Sequence, residues 1–136
     1  DEYVSRIGHY IPFSIIIIPE LKNTKSLSEE QQKQKEGELI LKEIHPGDTV
    51  VLLDEHGMEL RSVEYAKWLK QKQNIARRLV FIIGGPYGFS PNIYARSNEK
   101  ISLSRMTFSH QMVRLIFTEQ LYRACTIIKG EPYHHE

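Results

Sequence analysis

Two stretches of this chain leave its fold little choice. Thr49–Leu53 (TVVLL) and Leu79–Ile83 (LVFII) show no alternation of apolar and polar residues, so neither can lie with one face in water. Strands that are apolar on both faces must be covered on both faces. Where helical segments separate them, they belong to a parallel sheet held between two layers of helices. Between the two runs, Ser62 can cap a helix carrying Val63, Ala66, Trp68 and Leu69, whose spacing marks them as core rather than as a cofactor box. Upstream, Phe13–Ile18 (FSIIII) is rich in β-branched residues and stops at Pro19, which reads as another buried strand. The capping-box spacing Ser26-Leu-Ser-Glu29 opens a helix to about Ile44, ahead of Pro46-Gly47.

Downstream, Glu55–Leu60 reads as a loop, Ser90-Pro91 as the start of a helix, and Ile101–Leu103 as a short strand. A last helix begins near Ser109 and runs to about Ile128, stopped by Gly130 and Pro132. Val113, Phe117, Leu121, Ala124 and Ile128 form one stripe along it. The expected architecture is one three-layer α/β domain over residues 1–136. In such sheets ligands bind beyond the carboxyl ends of the strands, where Asp54, Gly84–Gly88 and the segment after Leu103 would meet.

Composition narrows the function classes. With 136 residues, 40% hydrophobic and 26% charged, the chain has the make-up of a globular domain, which excludes a disordered or fibrous protein. No apolar run approaches the ~20 residues that span a bilayer, so no membrane partner is expected. A lone Cys125 cannot form an internal disulfide, which predicts a reducing, cytoplasmic setting. The net charge of +1 conceals a split. Residues 1–60 carry 6 Lys/Arg against 12 Asp/Glu, and residues 61–136 carry 12 against 5. A basic half interleaved with Tyr87, Tyr94, Tyr122 and Tyr133 suits a polyanion such as RNA, through arginine–phosphate pairing and base stacking.

Individual motifs leave alternatives open. Gly84-Gly-Pro-Tyr-Gly88 is neither of the common nucleotide fingerprints, and serves as a tight turn or as a ligand loop. His110, at a helix start, is a general base or an ordinary capping residue. Pro132-Tyr-His-His-Glu136 gathers an aromatic ring, two imidazoles and a carboxylate, or is a frayed end. Metal binding is not expected, because adjacent His134 and His135 cannot aim at one ion from a regular element and Cys125 has no partner cysteine. There is no serine-hydrolase elbow. A non-catalytic α/β module binding a nucleotide is the alternative to an enzyme.

Three ordered motifs decide between these classes. Leu79-Val-Phe-Ile-Ile-Gly-Gly-Pro-Tyr-Gly-Phe89, Leu103-Ser-Arg-Met-Thr-Phe-Ser-His-Gln-Met-Val-Arg114, and Glu119-Gln-Leu-Tyr-Arg-Ala124 with Tyr133-His134 resemble the RlmH family, small SPOUT-class methyltransferases of ribosomal RNA. The resemblance implies an S-adenosylmethionine-dependent enzyme that methylates N3 of a pseudouridine in 23S rRNA on the assembled ribosome. It also implies a C-terminal trefoil knot and a homodimer whose partner subunit completes the substrate site. By position it assigns Leu53, Gly84, Leu103, Ser104, Arg105, Met106, Thr107 and Phe108 to the cofactor. Gly85 joins them because the turn needs both glycines. His110, Arg114, Tyr133 and His134 match positions beside methyl transfer. Two departures stand out: Ser109 replaces a frequent proline, and His135-Glu136 replaces a basic ending. The family's first strand would precede Asp1, so the chain is expected to be a truncated view of a longer one.

Overall fold

The computed structural model describes residues 2–19, 21, 22, 24–85 and 87–135. Strand β1 (Thr49–Glu59) runs between β2 (Leu79–Ile83) and β3 (Glu99–Ser102), and both neighbours are parallel to it. Alternation along the strands sorts the apolar runs onto two faces. Val50, Leu52, Val80 and Ile82 pack on one side with Phe89, Ile93, Ile40 and Leu41, beneath helices α2 (Glu29–Leu41) and α4 (Pro91–Arg96). Val51, Leu53, Leu79 and Phe81 pack on the other with Trp68, Leu69, Phe117 and Leu121, beneath α3 (Ser62–Ile75) and α5 (His110–Lys129). The two-sided covering expected of apolar strands is therefore present, in an α/β fold of three layers.

The ends of α5 follow from their capping residues. The Ser109 hydroxyl accepts from the Met112 N–H at 3.3 Å, so the serine that replaces proline acts as the N-cap. Gly130, at φ 74°, turns the chain out at the other end. Phe117, Leu121 and Ala124 of the expected stripe are buried, and the Phe117 and Phe81 rings meet at 4.8 Å. Short helix α1 (Glu2–Ile7) packs against the carboxyl half of α5, with Tyr3 and Tyr10 both about the Tyr122 ring.

Several expectations need correction. Phe13–Ile18 forms no strand. Phe13 touches the core, but Ile15, Ile16 and Ile17 are exposed, Ile17 by 69%. Helix α2 is capped by Ser28, not Ser26, through a reciprocal box with Gln31. Glu55–Leu60 is not simply a loop. β1 bulges after Leu53 and then pairs again, with Leu53 and Met58 both opposite Ile101 and Glu59 opposite Ser102. Val63 is on the exposed face of α3, whereas Ala66, Trp68 and Leu69 are core as expected.

Candidate active site

Parallel register brings the strand ends to one edge. Leu53 lies opposite Ile83 on one side and Ile101 on the other, so the segments leaving β1, β2 and β3 emerge together. From β2 comes the glycine turn, closed by a bond from the Gly88 N–H to the Gly85 carbonyl at 3.1 Å. Phe89 and Glu36 occupy the space beside its first two glycines. A Cβ on Gly84 would sit 3.1 Å from the Phe89 ring, and one on Gly85 would sit 2.9 Å from both carboxylate oxygens of Glu36.

From β1 comes the bulge, held by Asp54. This carboxylate accepts from the His56 backbone N–H at 2.9 Å and from the Tyr94 hydroxyl at 2.7 Å. Burial pushes the Asp54 carboxyl up, but these bonds outweigh it and hold the group below the usual carboxylate range. Burial and the same bond push the Tyr94 hydroxyl up to about 12.

From β3 comes Leu103–Phe108, a loop ordered by its own serines. The Ser102 hydroxyl donates to the Ser104 carbonyl at 3.0 Å, and the Ser104 hydroxyl accepts from the Met106 N–H at 3.0 Å. Leu103 reaches the core, Phe108 is half-buried, and Met106 and Thr107 are exposed. Arg105 pairs with Glu59 at 2.5 Å across an open cleft of about 450 Å³ that also touches His56. The cofactor residues expected from the sequence thus lie on the three segments that leave one sheet edge.

The residues expected at the reacting centre do not all meet. His110 and Arg114 stand one turn apart on the exposed start of α5. Tyr133 and His134 fold back on its far end. The Tyr133 ring meets Tyr122 edge-on at 4.7 Å, and the Arg123 guanidinium lies 5.0 Å from the Tyr133 ring centre. Thirteen residues of helix at ~1.5 Å each put His110 and Arg123 about 20 Å apart. Tyr133 and His134 are therefore not frayed, whereas Glu136 lies outside the described residues, and the two are remote from the other pair within one chain.

The tail also fixes a tautomer. Arg123, gripped by Glu119 at 2.9 and 3.1 Å, donates to His134 Nδ1 at 3.1 Å. A guanidinium has no acceptor, so Nδ1 must accept and the ring proton of neutral His134 is on Nε2. That nitrogen is buried and has no partner among the described residues. His134 is therefore a donor waiting for an acceptor. Sequence reasoning missed Arg123 and Glu119 as its support, although their i, i+4 spacing was a visible signal. It also missed Glu36, which stands in a polar stretch of α2 with nothing to single it out.

A family model described as a predicted SPOUT methyltransferase matches residues 1–134. The chain belongs to the SPOUT methyltransferase family. Membership makes it a methyltransferase, and such an enzyme requires a methyl donor. Among its curated relatives, the ribosomal RNA large subunit methyltransferase H of Phocaeicola vulgatus is 67% identical over 137 residues, covering all of this chain and 87% of its own. The proteins of the same name from Bacteroides fragilis and Flavobacterium johnsoniae are 65% and 56% identical, with the same coverage. The likeness to RlmH proteins thus extends through the whole SPOUT methyltransferase chain, beyond the three motifs that first suggested it.

Proposed function

We propose that this chain is a single SPOUT domain that transfers a methyl group from S-adenosylmethionine to N3 of a pseudouridine in 23S rRNA on the assembled ribosome, acting as a cytoplasmic homodimer with the family's C-terminal knot. The observation that carries the reading is that the segments after Leu53, Ile83 and Ser102, which hold Gly84, Gly85 and Leu103–Phe108, leave the same edge of the sheet. The relatives' name, a large-subunit rRNA methyltransferase, supports the substrate class.

The residues suit the cofactor. The Ser104-ordered loop offers amides and carbonyls for an adenine edge and ribose, and Gly88 of the turn has open space where a Cβ would stand. Glu36 Oε1, buried beside Gly85 and unpaired among the described residues, is an acceptor without a donor. When bound, S-adenosylmethionine supplies an electrophilic methyl group on a sulfonium.

The chain's own residues handle the proton. A weakly acidic imide N3–H must be lost for N3 to act as nucleophile. His134 cannot take that proton at Nε2, which already carries one. It donates instead to a base carbonyl, where negative charge grows as the proton leaves. His110 is exposed and takes the proton, while Arg114 one turn on orients a phosphate or carbonyl. The ~20 Å between the two groups within one chain supports a site shared between subunits. So does the apolar surface of Met106, Met112 and Leu115 around the start of α5.

Labelled methyl transfer to ribosomes that lack the modification tests the assignment. His110→Ala is expected to lower kcat by about 10²- to 10⁴-fold, with partial recovery as pH rises and the imide ionises unaided. His134→Gln, which keeps an N–H donor, is expected to retain more activity than His134→Ala. Wild-type rates in all three variants would remove the histidines from the mechanism.

A further inference from the structure

We infer that Glu36 is a cofactor-binding residue, whose buried free oxygen accepts a hydrogen bond from the methyl donor at the Gly84–Gly88 turn. The inference rests on the proposed S-adenosylmethionine site and extends it to a helix that no sequence motif marks. Its starting point is an imbalance. The Glu36 carboxylate lies flat on Gly85, with both oxygens 2.9 Å from where a Cβ would stand, and Oε1 is out of water with no donor among the described residues. A buried charged acceptor left unmatched is costly, and folded proteins retain few such atoms.

A purely structural role does not account for it. Glu36 does not fasten the turn through Oε1, which accepts no bond from any described residue. Nor does a neighbouring cation balance it: Lys33, one turn earlier, pairs with Glu30 at 3.3 Å instead. If Glu36 only filled space against Gly85, glutamine would fill it equally well without burying a charge. The same helix carries Glu29, Glu30 and Glu38, all exposed, so the sequence is not short of places to keep a carboxylate in water.

S-adenosylmethionine brings donors of the required kind: two ribose hydroxyls, an adenine amino group and an α-ammonium. Any of them placed at the turn satisfies Oε1 on binding, so the unpaired oxygen of the free protein becomes binding energy in the complex.

Calorimetry and thermal melting of the full chain test this, with wild type, Glu36→Gln and Glu36→Ala each titrated with S-adenosylhomocysteine and with 5′-methylthioadenosine. The ligand-free Glu36→Gln protein is expected to melt at or above the wild-type temperature, since an unpaired charge has been removed. Its affinity for S-adenosylhomocysteine is expected to fall about 10- to 100-fold, the worth of a hydrogen bond to a charged group. An equal loss for methylthioadenosine places the donor on the nucleoside. A loss confined to S-adenosylhomocysteine places it on the ammonium. Affinities within twofold of wild type in both variants overturn the inference, as does a ligand-free melting temperature that drops together with affinity. If wild type binds neither ligand, the cofactor reading itself fails.

Discussion

Asp48 illustrates how single residues set the frame that the site depends on. It lies in the turn before β1, at the opposite end of the sheet from the glycine turn, and is only 7% exposed. Its carboxylate accepts from the His45 N–H at 2.8 Å and from Arg78 at 2.6 and 3.1 Å. The Arg78 bonds hold the carboxyl below its usual range, against the burial that would raise it. A carboxyl with a lowered pKa stabilises the fold above its unfolded value, near 3.8, and that contribution disappears as pH falls through the lower folded value. Arg78→Ala leaves Asp48 buried with only its backbone bond. The variant is expected to lose about 1–3 kcal/mol at pH 7, discounted because Arg78 is partly exposed. The deficit should shrink as pH falls below about 4, which denaturant titrations at both pH values would show. Residue-scale chemistry of this kind was the least legible in the sequence. His134 read as one of two imidazoles in a short tail, with no sign of its hydrogen-bonding role, because what makes it a donor is Arg123, eleven positions earlier and brought near only by the folding back of the tail.

Elements were legible where the local pattern and the tertiary demand agreed. β2 has the bounds its apolar run implies, and α5 begins and ends at the capping residues the sequence offers. Phe13–Ile18 misled because β-branching describes a preference for a sheet surface, and no neighbouring strand pairs with this segment. The second part of β1 was hidden for the converse reason. Met58 and Glu59 pair with β3 although nothing in their sequence is strand-like, because the bulge at 54–57 returns the chain to its neighbour. Gly57 makes that return possible. A Cβ there would stand 2.7 Å from Ile101 N and Lys100 C, which are backbone atoms of β3 that cannot swing aside. Gly57→Ala is therefore expected to cost about 1–3 kcal/mol, as other overpacked interiors do. It should also weaken cofactor binding, because Asp54 and the Leu103–Phe108 loop hang on the same pair of strands. A denaturation midpoint equal to that of wild type would contradict this account of the bulge.

Across the whole molecule, the structure changes what the charge split means. The basic half was read as a surface for RNA, but part of its charge is already committed. Arg78 is tied to Asp48, Arg105 to Glu59, and Arg123 to Glu119 and His134. Arg96 donates to the carbonyls of His45 and Asp48, and Lys100 lies over the Tyr94 ring. Within the basic half, Lys67, Lys70, Arg77, Arg114 and Lys129 make no ion pair among the described residues. Each phosphate neutralised adds ~0.7 to 0.9 to the slope of log affinity against log salt. Five such cations therefore predict a slope of about −4 per chain bound, shallower than the 12 Lys and Arg of this half would suggest. Arg114→Ala should flatten that slope by about one unit or less, whereas Arg78→Ala should leave it unchanged. Filter binding of an rRNA stem-loop between 50 and 300 mM salt, values of the kind such titrations span, separates the cases. A slope insensitive to Arg114 but reduced by Arg78 would mean that the internal ion pairs open on binding, and that the charges the fold has committed are the ones the RNA reads.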